Sequence, residues 1–254
     1  MKPAGPVESP GLAGARSNAQ RCGESIEQVV PIKRGDTVTH RRWPVDLSAA
    51  ARLAGVELDR LIREAREMAE HFPRWVLAVT RDGEPATCRA CDGLVVFDAG
   101  VRCASCGKPV RDPPRGSRAG WFGVVPPVGI DGLARIKDAL VARPPRRHVV
   151  GHRAGLGHYV LVPLVAAYPA GYPAHPPDVF YLPEFRDIPG VPRAEFSHEF
   201  HMIGQGRMCL FAAGEWHAGM TAREVLQQRA YAHVIKLLNY ANGKTDAFAI
   251  VSRP

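Results

Sequence analysis

The sequence lacks any long apolar run. No stretch of it approaches the roughly 18 continuous apolar residues that a membrane-spanning helix requires. No apolar run follows the first basic residue, Lys2, which predicts that a secretory signal is absent. No internal repeat is visible either. We therefore expect a cytoplasmic protein that has no membrane partner.

Acidic residues are fewer than basic ones. The 254 residues include 33 Lys and Arg against 25 Asp and Glu, and the net charge is +8 at pH 7. A basic balance favours an acidic partner, such as a nucleic acid, an acidic protein face or a membrane surface, and does not choose among them. Hydrophobic residues make up 46% and charged residues 23%, which predicts a globular chain with one large domain or two small ones.

Composition and pattern divide the sequence into four segments. Residues 1–24 are rich in Pro, Gly, Ala and Ser without periodicity, which predicts a disordered tail. Residues 25–80 form an N-terminal helical segment and residues 85–112 a four-cysteine segment. Residues 121–254 form the C-terminal domain, in which strand and helix patterns predict the α+β class.

The N-terminal segment carries two helical patterns. Residues 46–55 predict a short helix that ends at Gly55, and residues 58–72 predict a longer one that Pro73 ends. The apolar face of the longer helix consists of Leu58, Leu61, Ile62, Ala65, Met68, Ala69 and Phe72. Packing of both helices on a core is the favoured interpretation, and a DNA-binding helix-turn-helix is the alternative.

Strands are predicted over four stretches, which are residues 28–32, 75–80, 121–125 and 158–167. Pro163 lies inside the last of them, which indicates a bulge or a sheet edge. The run over residues 143–148 is rich in Arg and Pro, which predicts a basic loop.

Two helices are predicted in the C-terminal domain. Asp131 is expected to cap a short helix, and the residues on its buried side are Leu133, Ile136 and Leu140. Thr221 and Glu224 have the spacing of a capping box, which predicts the start of a terminal helix. The dipeptide at Asn242 and Gly243 supplies its stop signal.

Four cysteines have the spacing of a metal site. They form two CxxC pairs, Cys88 with Cys91 and Cys103 with Cys106, and eleven residues separate the pairs. Two such turns can present four thiolates to one zinc ion in a tetrahedral shell. Because four sulfurs leave no open position, a structural zinc ribbon is predicted over residues 85–112. A redox dithiol and a pair of disulfides are the rival interpretations.

Cys209 stands apart from the quartet, and its surroundings carry a family pattern. A segment of the type Tyr-Pro-x-x-Pro-Pro precedes it, the cysteine lies in a Gly-x-x-Cys-Leu sequence, and a tryptophan and a helix follow. The residues that match, in order, are Tyr172, Pro173, Pro176, Pro177, Gly206, Cys209, Leu210 and Trp216. Over residues 121–243 the chain thus resembles the ubiquitin-conjugating enzyme family. The resemblance implies an antiparallel four-stranded sheet with flanking helices. The helix over residues 58–72 would then be the family's N-terminal helix, and the zinc ribbon would be an insertion between that helix and the sheet.

The chain departs from the family pattern before the cysteine. The family has a His-Pro-Asn triplet whose Asn lies eight residues before the catalytic cysteine, and here His201 stands at that position. A shift of one residue would instead align His198 with the family's histidine. The family's Asn is tied to the oxyanion that forms on aminolysis, and a histidine N–H can donate to the same oxyanion or act as a general base. The departure implies a bacterial relative from a ubiquitin-like conjugation system linked to antiviral defence.

The resemblance implies thioester chemistry at Cys209. The Cys209 thiolate would accept the C-terminal glycyl group of a ubiquitin-like protein from an adenylating enzyme and pass it to an amine of a target protein. Nearby Arg207 is expected to favour the thiolate. The expected catalytic residues are Cys209 and His201.

Two other functions remain open from the sequence. A catalytically inactive conjugating fold joined to a zinc ribbon would serve as a binding module for protein or nucleic acid. A cysteine hydrolase would use Cys209 with His201 or His198, and would need a third group such as Glu199 to hold the base.

Overall fold

The computed structural model describes residues 26–34, 37–142, 150–186, 188, 191, 200–204, 206–212 and 214–244. The expected disordered tail over residues 1–24 and the expected basic loop over residues 143–148 lie outside the described residues. In the described part, none of the helices has the length and apolar character to cross a membrane.

The chain is of the α+β class, as predicted. Its elements are, in chain order, β1 (Glu27–Arg34), β2 (Thr37–Pro44), α1 (Leu47–Ala54), α2 (Leu58–His71), β3 (Val76–Arg81), β4 (Glu84–Pro85), β5 (Val95–Phe97), β6 (Val101–Cys103), β7 (Arg118–Val124), β8 (Val128–Gly129), α3 (Ala134–Ala142), β9 (Val150–Arg153), β10 (Gly157–Val160), β11 (Pro163–Ala167), β12 (Asp178–Tyr181), α4 (Pro183–Arg186), β13 (Met202–Gly204), β14 (Arg207–Met208) and a terminal helix α5, which comprises Ala222–Glu224, Val225–Ala230 and Tyr231–Ala241.

A large antiparallel sheet forms the centre of the described structure. Among the described residues it has nine strands in the order β13-β14-β12-β11-β7-β3-β5-β6, with β4 paired to β3. The expectation of a four-stranded sheet is therefore wrong in its strand count. Four successive neighbours, β12-β11-β7-β3, do form an antiparallel group, but a hairpin of the cysteine segment extends it on one side and a hairpin before Cys209 on the other.

The two N-terminal helices are confirmed. The Asp46 side chain accepts the Ala49 N–H at the start of α1, and Gly55 ends that helix in the left-handed conformation. On α2 the residues Leu61 and Met68 are fully buried in the main apolar core. Ala69 is exposed, so its expected place on the buried face is wrong.

The strand predicted over residues 28–32 is one half of a hairpin. It spans Glu27–Arg34 and pairs over its whole length with β2. β2 was not predicted, because seven of its eight residues are exposed and no apolar alternation marks it as a strand. Gln28 fastens the hairpin to the sheet, since its amide accepts the Leu77 N–H at 2.8 Å and donates to the Leu77 carbonyl at 3.2 Å. Trp43 of β2 belongs to the same apolar cluster as Leu94 of the cysteine segment.

The apolar stretch over residues 158–167 is two strands, not one. β10 pairs with β8 and β9 in a small separate sheet, whereas β11 lies between β7 and β12 in the large sheet. Pro163 is the first residue of β11, where a missing N–H is tolerated, so it marks neither a bulge nor an edge.

The terminal helix begins with the predicted capping box of Thr221 and Glu224. Its second segment, Val225–Ala230, is a π-helix. Asn242 at its end also caps α3, because the Asn242 side chain accepts the backbone N–H of Arg135 at 3.0 Å. The expected capping of α3 by Asp131 is wrong, since the Asp131 carboxylate instead accepts the backbone N–H of His158 at 3.2 Å and lies 2.9 Å from its imidazole.

Candidate functional site

The four cysteines of the two CxxC pairs meet at one point. Their sulfur atoms all lie within 4.8 Å of one another, so that they could hold a metal ion. The Cys88 and Cys106 sulfurs are 3.8 Å apart, and those of Cys91 and Cys103 are 3.4 Å apart. None of these four cysteines forms a disulfide. An all-sulfur shell of this kind suits a soft or borderline metal and leaves no position for a substrate.

Backbone hydrogen bonds shape each CxxC turn. The Cys88 carbonyl accepts the N–H of Asp92 at 2.8 Å, and the Cys103 carbonyl accepts the N–H of Gly107 at 2.9 Å. In the first turn the left-handed residue is Asp92, with φ of 53°. Gly93, the next residue, has no room for a side chain, because a Cβ there would overlap Ser105 and come within 2.9 Å of the Cys103 sulfur.

The four thiols differ in how readily they ionise. Burial raises the pKa of the Cys103 thiol to about 12. The pKa of the Cys106 thiol is lowered to about 7, chiefly by the hydrogen bond from the backbone N–H of Lys108. Metal ligation requires the thiolate form, so a bound cation would stabilise the Cys103 thiolate, which burial otherwise disfavours.

The cysteine segment is built into the central sheet. The expected insertion between the helix α2 and the sheet is wrong, because β3 of the same sheet lies between α2 and the cysteines in the chain. Its strands β5 and β6 form an antiparallel hairpin, and β5 pairs with β3. Asp46, the cap of α1, also accepts the Gly100 N–H at 2.7 Å, and its own N–H donates to the Phe97 carbonyl at 3.1 Å. The hairpin of the cysteine segment is thereby coupled to the N-terminal helices as well as to the sheet.

Cys209 lies at the far end of the same sheet. The hairpin of β13 and β14 pairs Met202 with Met208, which brings the next residues, His201 and Cys209, side by side. The Cys209 N–H donates to the His201 carbonyl at 2.7 Å, and His201 has a left-handed φ of 49°. Cys209 is exposed, and its thiol is 3.9 Å from the Phe211 carbonyl.

An open cleft of about 480 Å³ borders Cys209. One wall is the segment that follows Cys209, and the other is the face of α5 that begins in the π-helical segment. The polar and charged lining residues are His201, Cys209, Glu215, Gln228, Arg229, His233 and Lys236. Wide helical turns of the π type recur at functional sites. The helical residues were missed from the sequence because a polar helix face usually faces solvent.

Arg207 does not support Cys209 in the way that was expected. Arg207 forms an ion pair with Asp178 at 3.1 Å, and Arg118 pairs with the same carboxylate at 2.9 Å. Its charge is therefore engaged by Asp178, and the expected support of the thiolate by Arg207 loses its basis. His198 and Glu199 lie outside the described residues.

The tyrosine-proline segment and Trp216 hold the loop beyond Cys209. The Trp216 indole N–H donates to the Pro173 carbonyl at 2.9 Å. The Trp216 ring packs on Phe211 at 5.4 Å and on Tyr172 at 6.2 Å between ring centroids. The peptide bond before Pro173 is cis.

A buried polar network lies behind this loop. Glu64 of α2 is 1% exposed. Its carboxylate accepts the Tyr168 hydroxyl at 2.9 Å and the Tyr172 hydroxyl, and it pairs with Arg60 at 2.8 Å. The Arg60 guanidinium also donates to the Met220 carbonyl at 2.7 Å. Burial, followed by the Glu64 charge, holds the pKa of both tyrosines above the ordinary range.

No protein-family model, no curated protein and no solved structure matches this chain. The comparisons therefore assign it to no family.

Proposed function

We propose that the protein is a conjugating enzyme that carries a ubiquitin-like protein as a thioester on Cys209 and transfers it to an amine. The observation that carries the proposal is the position of Cys209. Its thiol is exposed at an open cleft, and its backbone N–H is held by the His201 carbonyl at 2.7 Å. A nucleophile for a macromolecular acyl donor needs this access, whereas a structural cysteine is usually buried.

The order of elements supports the same function. A helix, α2, precedes the antiparallel group β3, β7, β11 and β12, and Cys209 and α5 follow it. This order agrees with the architecture that the family resemblance implies. Trp216 and Pro173, two of the residues that carry the resemblance, are hydrogen-bonded to each other beside the cleft.

The chemistry consists of two acyl transfers. In the first, the Cys209 thiolate attacks the thioester of the adenylating enzyme, a new C–S bond forms and the donor's sulfur leaves as a thiolate. In the second, an amine of the target attacks the carbonyl, a C–N bond forms and Cys209 leaves as a thiolate. His201 borders the same cleft, where its imidazole N–H can donate to the oxyanion of either step.

We further propose that the four-cysteine site holds one structural zinc ion. The donor set of four sulfurs fits zinc. The metal would fix the hairpin β5–β6, which lies at the other end of the sheet from Cys209, so the zinc takes no part in the acyl transfers. The cognate partners are an adenylating enzyme, a ubiquitin-like protein and target proteins.

The test is to incubate the purified chain with ATP and with the adenylating enzymes and ubiquitin-like proteins that its genome encodes. Intact-protein mass spectrometry is expected to show an added ubiquitin-like protein, which is lost with dithiothreitol and with Cys209→Ala. The variant Cys209→Ser is expected to give an ester that dithiothreitol does not cleave. If no partner adds to the wild-type chain, the conjugating function is refuted, and the binding-module function is favoured instead.

A further inference from the structure

Two histidines lie opposite each other on the small sheet of β8, β9 and β10. His152 of β9 and His158 of β10 are direct partners in the antiparallel register, and directly opposed residues of such a pair have neighbouring side chains on one face. Their ring centres are 4.9 Å apart, with an angle of 68° between the ring planes. His152 is exposed and the His158 side chain is 37% exposed, so an ion in solvent can reach both imidazoles.

The separation of the two rings matches what a shared metal ion requires. Zinc binds an imidazole nitrogen at about 2.0–2.1 Å, so two imidazoles on one ion at an angle of about 90–110° have ring centres about 4.5–5.2 Å apart. The observed 4.9 Å lies inside this interval. Rotation of the rings about their side-chain bonds can therefore bring one nitrogen of each to the same ion while the two strands stay in place.

Asp131 holds the His158 ring in a form that can bind a metal. One Asp131 oxygen lies 2.9 Å from His158 Nδ1, and the other accepts the His158 backbone N–H at 3.2 Å. A Cβ at Gly157 would overlap the same carboxylate, so Asp131 packs closely on this strand. Lys137 pairs with Asp131 at 3.1 Å, which balances the lysine charge beside the histidines. An Nδ1–H that donates to a carboxylate leaves the lone pair on Nε2, as in many metal-binding histidines.

We propose that His152 and His158 bind a divalent ion of the late first-row transition metals, such as nickel, copper or zinc, at a site separate from the cysteine quartet. Imidazole suits these ions, whereas calcium and magnesium prefer oxygen ligands. No third His, Cys, Asp or Glu of the described residues forms a metal-binding group with the two imidazoles. The protein thus supplies two ligands, and the other coordination positions are open to water and exchangeable ligands. The site does not depend on the proposed acyl transfer.

The test is a titration of the full, untagged chain with Ni²⁺. Cys22 and Cys209 are replaced by Ala in every sample, so that the only thiols left are those of the quartet. The quartet is filled with zinc, and the excess is removed on a desalting column. Calorimetry then gives the affinity and the number of nickel ions bound. Paramagnetic broadening of the histidine ring signals in NMR spectra shows where the nickel binds.

We expect about one nickel ion per chain, and the ring signals of His152 and His158 should broaden first. Loss of a supporting carboxylate costs about 10- to 100-fold in metal affinity, so Asp131→Asn, which retains an oxygen acceptor, should weaken the binding about tenfold. His152→Asn and His158→Asn each remove a ligand and should weaken it still more. The control His217→Asn removes another exposed histidine and should bind as the parent chain does. Mg²⁺ should neither bind nor compete.

Two results would overturn the inference. One is nickel binding by His152→Asn or His158→Asn that equals binding by the parent chain, because the ion would then lie elsewhere. The other is broadening that begins at histidines outside the pair, which is measured on the parent chain and so does not depend on whether any variant of the pair folds. Affinity that Asp131→Asn leaves unchanged would overturn the role given to the carboxylate.

Discussion

Among the described Asp and Glu residues of the helices, Glu64 is the one whose replacement is expected to destabilise the protein most. The Glu64 side chain is 1% exposed and its partner Arg60 is 12% exposed. The variant Glu64→Ala removes the carboxylate that pairs with Arg60 and that accepts the hydroxyls of Tyr168 and Tyr172. Breaking a buried ion pair in this way costs about 3–5 kcal/mol, which is a large share of the roughly 5–15 kcal/mol that stabilises a typical domain.

Two further variants separate burial from charge. Glu64→Gln keeps the size of the side chain and one acceptor oxygen, and we expect it to lose about 1–3 kcal/mol, the range for a buried group left partly unsatisfied. Glu70→Ala removes an exposed carboxylate from the same helix. Its effect should stay within about 0.5 kcal/mol of the wild type.

Urea denaturation followed by circular dichroism measures these differences. With a slope of about 2 kcal/mol per molar urea, a loss of 4 kcal/mol lowers the midpoint by about 2 M. A midpoint for Glu64→Ala that equals the midpoint of Glu70→Ala would refute the argument, because the network of Arg60, Tyr168 and Tyr172 would then contribute no net stability.

Three further predictions concern the metal site and the pH dependence. Removing the metal with a chelator should unfold the β5–β6 hairpin, since such sites supply on the order of 10 kcal/mol, and the loss of circular dichroism should be reversed by added zinc. Gly93→Ala should weaken metal binding roughly tenfold because its Cβ would crowd the Cys103 sulfur, whereas Gly132→Ala, which meets no atom within 4 Å, should bind as the wild type in a competition titration. The pKa of His233 is lowered from 6.5 to about 4 in the folded chain, so the unfolded chain binds its proton first as the pH falls. The stability that the neutral imidazole provides is complete above about pH 6.5 and should decline by about 2 kcal/mol by pH 5, a decline that His233→Gln should lack in urea titrations at the two pH values.

Features with short sequence spacing could be predicted from the sequence. The two CxxC pairs, the end of α1 at Gly55 and the capping box of Thr221 and Glu224 each depend on residues a few positions apart. Local spacing of this kind determines which backbone and side-chain groups can meet, so the pattern itself contains the geometry.

Features that join distant parts of the chain could not be predicted in the same way. Glu64 meets Tyr168 and Tyr172, which lie more than 100 residues away, and on a single helix its charge looks like part of a solvated face. The cap of α3 comes from Asn242, 107 residues from Arg135, whereas the nearer Asp131 binds His158. Such contacts arise from the tertiary arrangement, which no local period reports.

The lining of the Cys209 cleft shows both cases. His201 is near Cys209 because of a short hairpin, and its place in the sequence pointed to it. Lys236 and Arg229 reach the cleft only because α5 packs beside that hairpin, so their polar helix face gave no separate signal.

The most direct test of the conjugating function is to identify the residue that carries the acyl group. The chain is incubated with ATP, the adenylating enzyme and the ubiquitin-like protein, digested at low pH and mapped by mass spectrometry, with one sample treated with a phosphine and one with dithiothreitol. We predict that the adduct maps to the peptide that contains Cys209, survives the phosphine and is lost with dithiothreitol, because a thioester exchanges with thiols and a phosphine cleaves only disulfides. An adduct on any other cysteine, or one that the phosphine removes, would contradict the account.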